Sequence, residues 1–126
     1  MKLTLEEAKK IMDQNGGSIC LRGTGFTSLP EGLNVSGRLD LNYSDVEYLP
    51  QGLTVGGDLG LIFTTITSLP EGLTVGGNLD LRYTEIPNLP EGLRVDGDLI
   101  LFATDIEMIP AGWKIGGNIC FSALCE

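Results

Sequence analysis

The sequence predicts a repeat solenoid: twenty-residue coils stacked on one another, carrying a parallel β-sheet of about six short strands behind an N-terminal capping helix. Two observations predict it. Proline recurs at positions 30, 50, 70, 90 and 110, with the phrase Leu-Pro-Glu-Gly-Leu-x-Val-Gly-Gly-x-Leu-x-Leu-x-x-Thr-x-Ile returning around it. Glycine recurs in the same register at 17, 37, 57, 77, 97 and 117. A fixed period of roughly 20 to 50 residues is the mark of stacked units, each too small to bury a core alone. The chain reads as one domain over residues 1–126, with a helical cap at 1–16, repeats at 17–121 and a tail at 122–126.

The elements follow in chain order. Residues 3–15 read as a helix, opened by a capping box of Thr4 and Glu7 and stopped by Asn15-Gly16-Gly17. Leu5, Ala8, Ile11 and Met12 share one face of it, suited to covering the first coil. Apolar residues two apart, as in Leu79-Asp80-Leu81, have strand period. They place strands near 18–23, 38–43, 58–63, 78–83, 98–103 and 118–122. A hydroxyl column follows at Thr24, Ser44, Thr64, Thr84 and Thr104, placed to cap backbone groups inside a turn. Leu-Pro-Glu-Gly then turns the chain, since proline fixes φ and the glycine two residues on takes a shape closed to other residues. The paired glycines before each strand predict a tight corner or a close approach between coils. In the last coil Trp113 and Phe121 replace leucines, and these larger side chains are expected to plug the end. Beyond them the strand edge is expected to be open.

Composition narrows the function. The net charge is −9, from 17 acidic and 8 basic residues, which argues against direct nucleic-acid binding. No apolar run is long enough to span a membrane, and the start lacks a secretory signal, so a cytoplasmic location is expected. There is no histidine, which removes the commonest general base and metal ligand. No nucleophile–base pair stands out, so no catalytic residue, metal ligand or cofactor is assigned and the chain reads as a non-enzyme. Of the three cysteines, Cys20 and Cys120 lie five coils apart, roughly 24 Å, too far for a disulfide. Cys120 and Cys125 are near enough to pair, but a reducing compartment disfavours it.

The phrase Leu79-Asp80-Leu81-Arg82-Tyr83-Thr84-Glu85-Ile86-Pro87-Asn88-Leu89-Pro90 resembles the core motif of the leucine-rich repeat family. The short period ending in Leu-Pro is similar to that family's shortest bacterial subclass, and Gly-Gly-rich forms occur in phage and gut bacteria. The resemblance implies a leucine-rich-repeat-like sheet and ligands that dock on the strand face. Two departures stand out: Thr or Ser follows the strand where the family has asparagine, and Gly-Gly precedes it. They predict a different corner hydrogen bonding, and a parallel β-helix with two or three short strands per coil is the alternative.

Scaffold columns hardly vary between coils, whereas the outward strand columns do. Ser18, Arg38, Asp58, Asn78, Asp98 and Asn118 form one such variable column. Outward Ile62, Ile100 and Phe102 are unnecessary for folding. With Tyr43, Tyr83 and Arg82 they make an aromatic–arginine patch of the composition found at interface hot spots. Phe63 fits inward packing and exposure equally well. Asp40, Asp58, Asp80 and Asp98 read as solvated charges on the same face. Asp45, Glu47, Glu85, Asp105 and Glu107 form an acidic flank just after the strands. The expected function is protein–protein interaction through the strand face. The rivals are an acidic phage or bacterial inhibitor that imitates nucleic acid, and a structural module that self-associates through its C-terminal edge.

Overall fold

The computed structural model describes residues 2–104, 106 and 114–121, and its main feature is a stack of coils held by two parallel sheets. Helix α1, Leu5–Gln14, comes first. Eleven two-residue strands follow: β1 Ile19–Cys20, β2 Asn34–Val35, β3 Leu39–Asp40, β4 Thr54–Val55, β5 Leu59–Gly60, β6 Thr74–Val75, β7 Leu79–Asp80, β8 Arg94–Val95, β9 Leu99–Ile100, β10 Lys114–Ile115 and β11 Ile119–Cys120. The odd-numbered strands form a six-stranded sheet and the even-numbered ones a five-stranded sheet. Every strand pairs with its copy twenty residues away, as Leu59 does with Leu39 and Leu79. This is a β-solenoid of about five turns.

The six expected rungs are all present, and a second sheet joins them. The apolar Val35, Val55, Val75 and Val95 column belongs to that second sheet. Two strands per coil is the feature that the parallel β-helix alternative anticipated. The strands are also shorter than the expected six residues. At one end, a turn from Leu41 to Ser44 puts its third residue, Tyr43, at φ 62°, which ends the extended run. The same turn recurs at Leu81–Thr84.

Inside, the leucine columns form continuous spines. Leu39, Leu59, Leu79 and Leu99 are completely buried, as are Val55, Val75 and Val95 from the opposite sheet and Ile66 and Ile86 from the side between them. The hydroxyl column acts as the sequence anticipates. Ser44, Thr64 and Thr84 are buried and donate to the carbonyls of Leu41, Leu61 and Leu81 at 2.6–2.9 Å. Among the described residues no buried side-chain polar atom lacks a partner.

The paired-glycine corner is a close approach. Gly37, Gly57, Gly77, Gly97 and Gly117 each donate an N–H to the glycine carbonyl of the coil before, at 2.8–3.0 Å. A Cβ on Gly77 would collide with the Asp58 carboxylate, and one on Gly97 with the Asn78 amide. Those side chains are themselves structural. Asp58 accepts from the Asn78 N–H at 2.8 Å, Asn78 from Asp98 at 2.7 Å, and Asp98 from Asn118 at 2.8 Å. Ser18 does the same for Arg38. The variable outward column is thus also a ladder of short acceptors, broken at Arg38, whose side chain cannot accept.

At the N-terminus the capping box forms: Glu7 N–H donates to the Thr4 hydroxyl at 3.2 Å and Thr4 N–H to the Glu7 carboxylate at 3.1 Å. Ala8 is fully buried, so the helix covers the first coil as expected. The C-terminal plug is not seen at Phe121, which is 50% exposed; Trp113 lies outside the described residues. Cys120 is buried and disulfide-bonded, against the expectation of free thiols, while Cys20 is free and exposed.

Candidate binding face

The turn after each of β1, β3, β5, β7 and β9 demands a residue with φ near +60°. The first coil meets the demand with Gly23, at φ 70°. The next three use Tyr43, Phe63 and Tyr83, at φ 62°, 55° and 59°, and the fifth uses Ala103. Left-handed backbone disfavours any residue with a Cβ, and bulky ones are genuine outliers there. Because the coils are in register, this backbone shape stacks the three rings. Tyr43 and Phe63 lie 5.6 Å apart between ring centres, and Phe63 and Tyr83 4.4 Å apart at an interplanar angle of 5°. The rings are 48%, 54% and 45% exposed.

Both ends of this ridge are capped. The Arg22 guanidinium lies over the Tyr43 ring at 5.1 Å, and Phe102 meets Tyr83 edge-on at 5.7 Å. Arg82 reaches over Phe102 at 5.5 Å while its fork holds Asp80 at 2.7–3.1 Å. The Asp80 carboxylate raises the Arg82 pKa further above its ordinary value, so the charge is permanent.

Of the residues expected at a binding patch, Tyr43, Tyr83, Arg82 and Phe102 therefore meet in one place. Phe63, left open between inside and outside, stands at the centre of the ridge. The decisive signal was the glycine heading its column: Gly23 marks a position requiring positive φ, which keeps the side chain out of the coil. Ile62 and Ile100 are half-buried on the sheet face and join no aromatic contact. Ile100 instead lines a groove of about 380 Å³ beside Gly60, together with Asp40, Asp58 and Asp80.

The acidic flank is broken. Asp45, Glu47 and Glu85 are exposed, but Thr65 and Thr67 occupy their columns in the coil between. Asp45 and Glu85 are thus two coils apart, roughly 9–10 Å. Asp105 and Glu107 lie outside the described residues. Among the described residues no group of three His, Cys, Asp or Glu could hold a metal ion, and no helix is long and apolar enough to cross a membrane. No protein-family model, curated protein or solved structure matches the chain.

Proposed function

We propose that this solenoid is a non-enzymatic module that binds another protein, with the ridge of Tyr43, Phe63, Tyr83 and Phe102 as its contact surface and Arg22 and Arg82 at its flanks. The observation that carries the reading is three exposed aromatic rings on left-handed backbone. Each such residue costs about 1–2 kcal/mol relative to a relaxed conformation. The two stacked pairs offset about 0.5–1.5 kcal/mol each. Glycine would fill the turn without strain, as Gly23 does. Three bulky residues held against their backbone preference, on a surface, fit selection for recognition better than selection for folding. Stacking also fixes the side chains before a partner arrives, so little rotamer entropy is lost on docking.

The test uses glycine substitution, which deletes the rings and relaxes the backbone together. The triple variant Tyr43→Gly, Phe63→Gly, Tyr83→Gly is expected to fold with the same circular dichroism. It should lose at least tenfold of the protein that the wild type captures from its host, which corresponds to about 1.4 kcal/mol. The pair Arg82→Glu and Phe102→Ala should do the same. Undiminished capture by a folded triple variant would remove the assignment.

A further inference from the structure

We infer that the groove around Gly60 is a second binding site, built for a small neutral saccharide and adjoining the aromatic ridge through Arg22. Its floor is Gly60, where other coils carry Asp40, Asp80 and Ile100 in the same column. The Asn42 amide lies against that glycine, where a Cβ would strike it, and the groove around the pair measures about 380 Å³ on the face of the first sheet. That volume is within the range of small-molecule sites, about 300–1,000 Å³.

The lining is polar and held in place by the fold. Asn42 Oδ1 accepts from the Ile62 N–H at 2.9 Å, which fixes the amide and leaves its Nδ2 without a partner among the described residues. Asn78 Oδ1 is tied to the Asp98 N–H in the same way, leaving Nδ2 to donate. Asp58 uses Oδ1 on the Asn78 N–H and keeps Oδ2 to accept. Three lining side chains are thus each pinned by one atom and available through the other, an arrangement that preorganises a site. The Arg38 guanidinium, exposed on the rim, makes no hydrogen bond among the described residues.

Charge decides the ligand class. Asp40, Asp58 and Asp80 face Arg22 and Arg38, and Arg82 holds Asp80 in its fork. The lining carries three carboxylates and two guanidinium groups, and Arg82, outside the lining, neutralises Asp80, so the remaining charges balance in a chain of net charge −9. A cation or an anion gains little there. A hydroxyl, which donates and accepts at once, fits mixed donors and acceptors. Ile100 offers an apolar wall for the C–H face of a sugar ring. The backbone on this face is spent on bonds between coils, as with Leu61 N–H to the Asp80 carbonyl at 3.0 Å. A peptide adding itself as a strand therefore finds no edge at the groove.

The experiment is amide-resolved NMR of the full chain titrated with glucose, galactose, mannose and N-acetylglucosamine, and with their β-1,4-linked disaccharides. At least one is expected to shift the Gly60, Ile62 and Asn78 amides, with a Kd on the order of millimolar. Binding should change by less than roughly twofold on adding 0.5 M salt, since no net charge is matched. Gly60→Ile drives a side chain against the Asn42 amide, displacing it and obstructing the groove, and should weaken binding about tenfold or more. Arg38→Ala removes no hydrogen bond of the fold and should weaken it several-fold, which guards against misfolding of the first variant. Phe63→Gly should leave it unchanged, so failure of the ridge and failure of the groove are separable. The proposal is overturned if no saccharide moves those amides, if both groove variants bind as the wild type does, or if only calcium chloride or an oligolysine peptide produces the shifts.

Discussion

Phe63 and Gly77 show two opposite reasons for a residue to sit in a repeat column. At Phe63 the backbone asks for glycine and the sequence supplies a ring. The strain and the stacking can be separated by comparing two variants. Phe63→Ala loses both ring contacts and keeps φ positive, whereas Phe63→Gly loses the contacts and relaxes the turn. The glycine variant is therefore expected to be the more stable of the two by about 1 kcal/mol, the reverse of the usual order within a folded element. Chemical denaturation of both proteins checks this, and an alanine variant of equal or greater stability would show that the turn is not strained. At Gly77 the reason is space. Its Cβ would strike the Asp58 carboxylate, which is bonded to the Asn78 N–H. Gly72, by contrast, has φ 74° with nothing within 4 Å of a Cβ. Gly77→Ala should thus cost about 2–4 kcal/mol, the overpacking penalty and a broken bond together. Gly72→Ala should cost only the left-handed penalty, about 1 kcal/mol. Equal losses in thermal melts would contradict this account.

The ladder of short acceptors before each odd-numbered strand links these residues into an element. The sequence showed the column but disguised its rule, because Ser, Asp, Asn, Asp and Asn look varied as side chains and are alike as acceptors. The strands and the buried columns were readable because burial tolerates only apolar residues, and that restriction repeats. The second sheet was not, since a single valine between polar neighbours carries no period of its own. The Gly60 groove was also hidden, because an absent side chain has meaning only once the columns are stacked in register. Arg38 is the ladder's one fault. Replacing it with an acceptor, Arg38→Asn, should serve the Asp58 N–H and stabilise the protein by about 0.5–1.5 kcal/mol. An unchanged denaturation midpoint would count against the ladder. The helix cap responds to pH. The Thr4 hydroxyl and the Thr4 N–H, with Lys10 nearby, lower the Glu7 pKa from its usual 4.5. A depressed carboxyl stabilises the folded cap fully above the unfolded value and loses that contribution as pH falls through the folded one. The amides of the first turn of α1 should therefore lose hydrogen-exchange protection as pH falls through and below the usual carboxylate range, ahead of the sheet amides. Simultaneous loss in both would show that the box adds nothing.

At the scale of the whole molecule the two ends of the stack are unequal, and stability should be unequal with them. A solenoid is held by contacts between neighbouring coils, so an end coil with one neighbour is the first to open. The first coil has a second cover in α1, and Ile19 beneath it is 1% exposed. In the last coil Ile115 and Ile119 are only partly buried and Phe121 is half exposed, although their counterparts one coil earlier are completely covered. Among the hydrogen bonds crossing to that coil, two hold amides of the coil before it, Leu99 and Leu101, which donate to the Asn118 and Cys120 carbonyls at 2.9 and 2.7 Å. Opening of the last coil releases both. The equivalent central amides, Leu59 and Leu61, donate to Asn78 and Asp80 and open only when the middle of the stack does. Native-state hydrogen exchange at low protein concentration should find Leu99 and Leu101 at least tenfold less protected than Leu59 and Leu61, a gap of about 1.4 kcal/mol. Equal protection would mean that the coils open as one unit and that the stack has no weak end. Self-association through the C-terminal edge has its own signature in the same measurement. A second copy pairing with Ile119–Cys120 would cover the last coil, so the gap would close as concentration rises while the central amides stayed fixed.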